Sequence, residues 1–170
     1  MLDRLKRIFR HRWLDESDVR RAIPPDLLER LTRRVAASER RHSGEIRIYV
    51  EAGLPTSYLW RGASARERAV ALFGKLGVWD TEANNGVLIY LLLAEHAIEI
   101  VADRGISCHV SPQDWQAVVG HMSETFRAGR FEEGLTQALE EVSALLVRHY
   151  PVSGAEAPNA NELPDQPVLG

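Results

Sequence analysis

The 170-residue chain has a single cysteine, Cys108, which excludes an internal disulfide and any site built from several thiolates. Long apolar runs are also missing. The longest, Val87 to Leu93, is about seven residues, far short of the roughly 20 that a membrane-spanning helix needs. No apolar signal region opens the chain, where charges recur every few residues. These absences predict a cytoplasmic protein that does not cross a membrane. There is no Gly-rich phosphate loop of the Walker or dinucleotide type and no internal repeat. No two histidines share a helix face at i, i+4, and neighbouring Cys108 and His109 point apart if extended, so zinc is not expected. A papain-like Cys and His pair has no local signature behind it.

The composition, 45% hydrophobic and 26% charged, suits one globular domain with a tail. The net charge of −3 conceals an asymmetry: residues 1–44 carry 12 Lys/Arg against 7 Asp/Glu, and the remainder 9 against 17. A basic beginning on an acidic body predicts contact with an anionic surface through that beginning alone.

Leu2, Leu5, Ile8, Phe9 and Trp13 form one helical stripe, with Arg4, Lys6, Arg7, Arg10 and Arg12 filling the rest. Such a short cationic helix either lies in an anionic membrane interface or folds back on its own domain. Asp15-Glu16-Ser17-Asp18 supplies N-cap chemistry, and Pro24-Pro25-Asp26 restarts a helix whose apolar face is Leu27, Leu28, Leu31 and Val35. Its Arg33-Arg34 and Arg40-Arg41 doublets read as a solvated face, since no aromatic residue interleaves them for base stacking. Nucleic acid is not an expected partner.

Glu45 to Glu51 alternates, with Ile46, Ile48 and Val50 on one side, and predicts the first strand. Gly53 to Ser57 reads as loop. Ala65, Ala69, Leu72, Phe73 and Leu76 predict a helix stopped by Gly77. With Val87 to Leu93 this makes a βαβ unit, so the first two strands should be parallel. The reversal Ala94-Glu95-His96 then predicts an antiparallel third strand, Ala97 to Ala102. Two helices follow, one bearing Trp115, Val118, Val119, Met122 and Phe126, the other Phe131 to Leu146, ending before Pro151. The predicted fold is an α/β/α sandwich of three layers, with a small mixed sheet, a βαββαα core and extra N-terminal helices. Its parts are a basic helix (1–14), the α/β domain (15–151) and a tail or surface strap (152–170).

Those strand directions put His42, Ser43, Glu45, Glu82, Asn84, Asn85, Asp103 and Arg104 on one edge, and Glu51, Thr56, Ser57, Glu95 and His96 on the other. The rule for open α/β sheets points to Glu51 and His96, although Glu95 and His96 are also what a hairpin tip contains. On the first edge, Asp103 with the amide oxygen of Asn84 or Asn85 and the carboxylate of Glu82 could hold calcium or magnesium. The competing reading pairs Asp103 with Arg104 or a neighbouring helix and leaves the asparagines as a turn.

From Glu45 to about Pro151 the chain resembles the TPM domain family. The resemblance rests on Ser43-Gly44-Glu45-Ile46-Arg47, Asn85-Gly86-Val87-Leu88-Ile89, Gly105-Ile106 and, most specifically, Phe126-Arg127-Ala128-Gly129-Arg130-Phe131-Glu132-Glu133-Gly134-Leu135. The Asn161-Glu162-Leu163-Pro164-Asp165 segment resembles short soluble bacterial members. The resemblance implies the sandwich fold. It also implies acid phosphatase activity as in a plant member, divalent metal binding as in several, or a part in assembling membrane complexes as in others. Many members have an aspartate where this chain has Asn84, and a glycine where it has Asp103. The expectation is therefore a non-enzymatic, cytoplasmic binding module, peripheral to the inner membrane through residues 1–13 and acting with a protein or membrane-associated partner. Its ligand site is Asn84, Asn85, Gly86, Asp103, Arg104 and Gly105, with the metal at Asp103, Asn84 and Glu82. The alternative is a metal-dependent phosphatase in which Arg104 or Arg127 holds phosphate.

Overall fold

The computed structural model describes residues 2–152 and 161–170, with side chains from Arg4 onward. Its helices are α1 (Leu2–Trp13), α2 (Glu16–Ala22), α3 (Pro25–Glu39), α4 (Thr56–Arg61), α5 (Ala65–Lys75), α6 (Arg104–Ser107), α7 (Pro112–Arg127) and α8 (Phe131–His149). Its strands are β1 (Ile46–Glu51), β2 (Val87–Leu92), β3 (Ala97–Ala102) and β4 (Val168–Leu169), in the order β3-β2-β1-β4. The first pair is parallel from Ile46 opposite Val87 to Glu51 opposite Leu92, and β3 runs antiparallel to β2. Both directions match the sequence expectation.

All six residues of β2 are buried, as a strand covered on both faces requires. One face, with Ile46, Ile48, Val50, Ile89 and Leu91, packs under α3, α7 and α8 through Leu31, Val35, Phe126, Leu135 and Val142. Leu88, Tyr90 and Leu92 on the other face meet Leu59 of α4 and Ala69 and Leu72 of α5. This is the predicted α/β/α sandwich. Local chemistry sets the helix starts: Asp15, Ser64 and Ser111 each close a capping box, with Asp18, Glu67 and Asp114 respectively.

Three features depart from expectation. The segment read as loop contains α4, anchored by buried Leu59 and ended by Gly62 in the left-handed region at φ 73°. Gly53, Pro55, Thr56 and Ser57 carry turn chemistry that hides so short a helix. The supposed tail supplies β4, whose Val168 and Leu169 pair in parallel with Tyr49 and Val50. Residues 153–160 of that tail lie outside the described residues. Finally, the single apolar stripe of α1 splits. Ile8 packs toward the second core, whereas Leu5, Phe9 and Trp13 face solvent; the Leu2 side chain lies outside the described residues. The helix docks through polar groups: Arg7 donates to Glu95 Oε1 and to the Ala63 carbonyl, both at 2.7 Å. His11 Nδ1 accepts the Leu54 N–H at 2.9 Å, which leaves Nε2–H to donate to Glu95 Oε1 at 2.9 Å.

Gly86 opens β2 where no side chain fits, because a Cβ there would sit 2.0 Å from the Val78 carbonyl oxygen. Gly74, inside α5, has nothing within 4 Å of its would-be Cβ. Gly86→Ala is therefore expected to cost more than about 2 kcal/mol in urea unfolding, and Gly74→Ala to gain up to about 1 kcal/mol. Equal effects at the two positions would contradict this packing.

Candidate cation-binding edge

At the amino ends of β1 and β2, the backbone fixes the candidate residues before any side chain does. Asp103 N–H donates to the Gly86 carbonyl at 2.9 Å, closing the β2–β3 ladder, and Gly105 N–H donates to the Asn84 carbonyl at 2.8 Å. Asn84 takes the left-handed conformation, φ 51°, that lets the chain turn there. Gly105 lies against that turn: a Cβ would meet the carbonyl oxygens of Asn84 and Ala83 at 2.4 and 2.7 Å. Asn84, Asn85, Gly86, Asp103, Arg104 and Gly105 thus form one continuous edge.

Their side chains differ in what they can do. Asp103 is buried; its Oδ1 caps α6 by accepting the Arg104 N–H at 2.6 Å, and its Oδ2 has no partner. Asn85 is fully buried, donates from Nδ2 to the Ser43 hydroxyl at 3.2 Å, and has an unpartnered Oδ1. Buried polar atoms are ordinarily satisfied, so orphaned oxygen acceptors at Asp103 and Asn85 are unusual. Oxygen acceptors are the donor type that a hard cation takes. The Tyr150 phenol lies close by, its pKa raised by burial and then by the Cys108 and Asp103 charges. Asn84 and Glu82, the other two members of the expected metal set, are exposed, and the Glu82 N–H is bound by the Glu162 carboxylate at 3.0 Å. Among the described residues, no group of three or more His, Cys, Asp and Glu side chains is placed to hold a metal.

The same side of the sheet holds Glu45 and His42, which the strand directions placed there, together with Glu39 and Asp165, which sequence reasoning missed. Glu39 and Glu45 are both buried; Glu39 accepts the Ile46 N–H at 2.9 Å, Glu45 accepts the Leu163 N–H at 3.2 Å, and Glu45 Oε1 has no partner. With Asp165 they line a cavity of about 500 Å³. Burial foremost, then the charges of Glu45 and Asp165, pushes the Glu39 carboxyl up to about 8. His42 is buried between Ser38 (2.8 Å) and the Gly44 carbonyl (3.0 Å), and burial lowers its pKa to about 4. Nothing in the spacing could join Asp165 to Glu39, because the return of the C-terminal segment brings them together.

The opposite edge is structural. Arg68 clamps Glu51 through Nε (3.0 Å) and Nη2 (2.6 Å), and the buried Tyr90 hydroxyl donates to Glu51 Oε2 at 2.7 Å. Glu95 anchors α1, and its bonds from His11 and Arg7 hold its carboxyl down at about 2. His96 turns the hairpin at φ 48° and stands beside the Arg127 carbonyl, 3.3 Å away. Arg127 therefore belongs to this edge and is not beside Asp103. A cavity of about 1030 Å³, open to solvent, also lies here between Leu27, Leu93 and Phe131.

The TPM domain model matches residues 17–145. This chain belongs to the TPM domain family. Among solved structures it is similar to the BA42 protein of the psychrophilic bacterium Bizionia argentinensis, with a TM-score of 0.75 and 25% identity over 87% of this chain and 95% of that one. It also shares its fold with the N-terminal domain of a protein from P. gingivalis, with a TM-score of 0.60 and 19% identity over 76% of this chain and 81% of that one. No curated protein matches. The matched span of the TPM domain contains the whole β1–β3 edge and leaves α1 outside.

Because the Glu39 pKa is raised from 4.5 to about 8, the fold prefers its protonated form. Stability is unaffected below the ordinary carboxylate range, falls as pH rises between those two values, and levels off above. In thermal melts, the Tm advantage of Glu39→Gln over wild type should grow by at least about 3 °C between about pH 5 and about pH 9. A pH-independent difference would refute the shift.

Proposed function

We propose that this TPM domain is a cation-binding module that acts through a partner and does not turn over a substrate. Calcium or magnesium is held at the edge formed by Asp103 and Asn85. The observation that carries this reading is the pair of unpartnered, buried oxygens, Asp103 Oδ2 and Asn85 Oδ1. In this proposal Asp103 is the charged ligand and Asn85 takes the role that the sequence allowed to either asparagine. Asn84 and Glu82 stay at the solvent rim, where they complete the shell directly or through water. With one buried carboxylate, such a site favours calcium, which tolerates neutral oxygen ligands and irregular geometry.

The second reading, a metal-dependent phosphatase, draws on one observation: Arg104 follows Asp103 directly and is exposed, so a guanidinium could hold a phosphate beside the cation. Arg127, the other arginine considered for that role, is at the far edge.

Calorimetric titration of calcium and of magnesium into wild type and Asp103→Ala, with a phosphatase assay alongside, separates the two. Binding to wild type, weakened at least about tenfold in the variant and without turnover, is the expected result. Turnover that Asp103→Ala and Arg104→Ala both abolish favours the hydrolase, and an absence of binding removes both readings.

A further inference from the structure

We infer that α1 is a fixed docking surface for an anionic lipid bilayer, with Leu5, Phe9 and Trp13 entering the interface and the flanking cations meeting the headgroups. This inference does not depend on the cation site, which lies at the other end of the sheet.

The first support is what α1 leaves uncovered. Leu5, Phe9 and Trp13 are 48%, 67% and 82% exposed, and Trp60 of the neighbouring α4 is 65% exposed. At roughly 100° per residue, the three residues of α1 fall in a sector of about 80°. They lie across the helix from Arg7 and His11, which dock it. A soluble helix hides its apolar stripe against its own core. Here the polar latch on Glu95 does the docking, and the apolar stripe is turned outward.

The second support is charge. Exposed Arg12 borders the stripe on one side and exposed Lys6 and Arg10 on the other. Arg4 sits over the Trp60 ring, 6.0 Å from its centroid, and carries the cationic rim onto α4. From Arg4 to Trp13 the sequence contains no acidic residue. An apolar strip rich in aromatic residues and bordered on both sides by arginine and lysine matches the layered chemistry of an anionic interface, where acyl boundary and phosphate lie at adjacent depths. Tryptophan favours that boundary.

The third support is rigidity. The latch closes at four points: the two Arg7 bonds, and the bonds from His11 to Glu95 and to Leu54. A Cβ at Gly53 would lie 2.6 Å from the His11 carbonyl oxygen, so backbone packs on backbone there. The helix is therefore already formed when it meets a surface, which removes the folding cost that a free helix of this length would bear.

The test uses the full chain with sedimented vesicles of phosphatidylcholine alone and of phosphatidylcholine mixed with phosphatidylglycerol. Wild type should bind the anionic vesicles at least about tenfold more tightly than the neutral ones. The exposed-residue double variant Phe9→Ser/Trp13→Ser and the charge variant Arg10→Glu/Arg12→Glu should each lose about tenfold or more, with far-UV circular dichroism unchanged. Trp79→Ser, which removes an exposed tryptophan at the opposite edge, should bind like wild type. No binding to anionic vesicles, or binding that Phe9→Ser/Trp13→Ser retains, overturns the inference. So does a dimer in analytical ultracentrifugation that the same variant dissociates, which would make the stripe a contact between copies of the chain.

Discussion

The constraint on which the rest of the structure depends is the burial of β2 on both faces. A strand in that position must have its backbone paired on both sides and its side chains apolar. Only Tyr90 brings a polar atom into the strand's interior, and two residues are organised around it: Glu51 accepts its hydroxyl, and Arg68 neutralises Glu51 with a two-pronged contact. Removing Arg68 alone would strand a buried carboxylate beside a phenol. That cluster explains why the edge favoured by the general rule for α/β sheets is committed to holding the fold together.

The parts of the fold visible in the sequence were those with a strong local period. The run Val87 to Leu93 predicts a central strand within a residue of its observed end, and Ala97 to Ala102 matches in full. The N-cap chemistry read at Asp15 is observed, because the cap uses a polar side chain and a partner, Asp18, three residues on. Missed elements such as α4 and β4 lack such signals. Helix α4 is six residues long and begins among turn formers, and β4 is a two-residue strand whose existence depends on a neighbour more than a hundred positions earlier. Hydrophobic period also cannot say which side of a helix is buried when polar bonds do the docking. That is why α1 appeared as one stripe and is in fact two.

The candidate site was legible as a neighbourhood and not as a set of ligands. Strand directions alone brought residues 82–86 to residues 103–105. Which asparagine faces inward depends on the left-handed turn at Asn84, and this conformation places Asn84 outside and Asn85 inside. The burial of the carboxylates at Glu39 and Glu45 was hidden for a related reason: acidic residues at a helix end and a strand start ordinarily face water. Here the returning C-terminal segment covers them.

Strand β3 connects matters that otherwise look separate. Just before it stand Glu95, which grips α1, and His96; just after it stands Asp103. Six extended residues cover about 20 Å, and this strand is paired along its full length, so the distance cannot change without breaking the sheet. The molecule therefore contains a rigid ruler with an aromatic, cationic surface at one end and unpaired oxygens at the other. Whatever engages one end leaves the other a fixed height away and free to face a different phase.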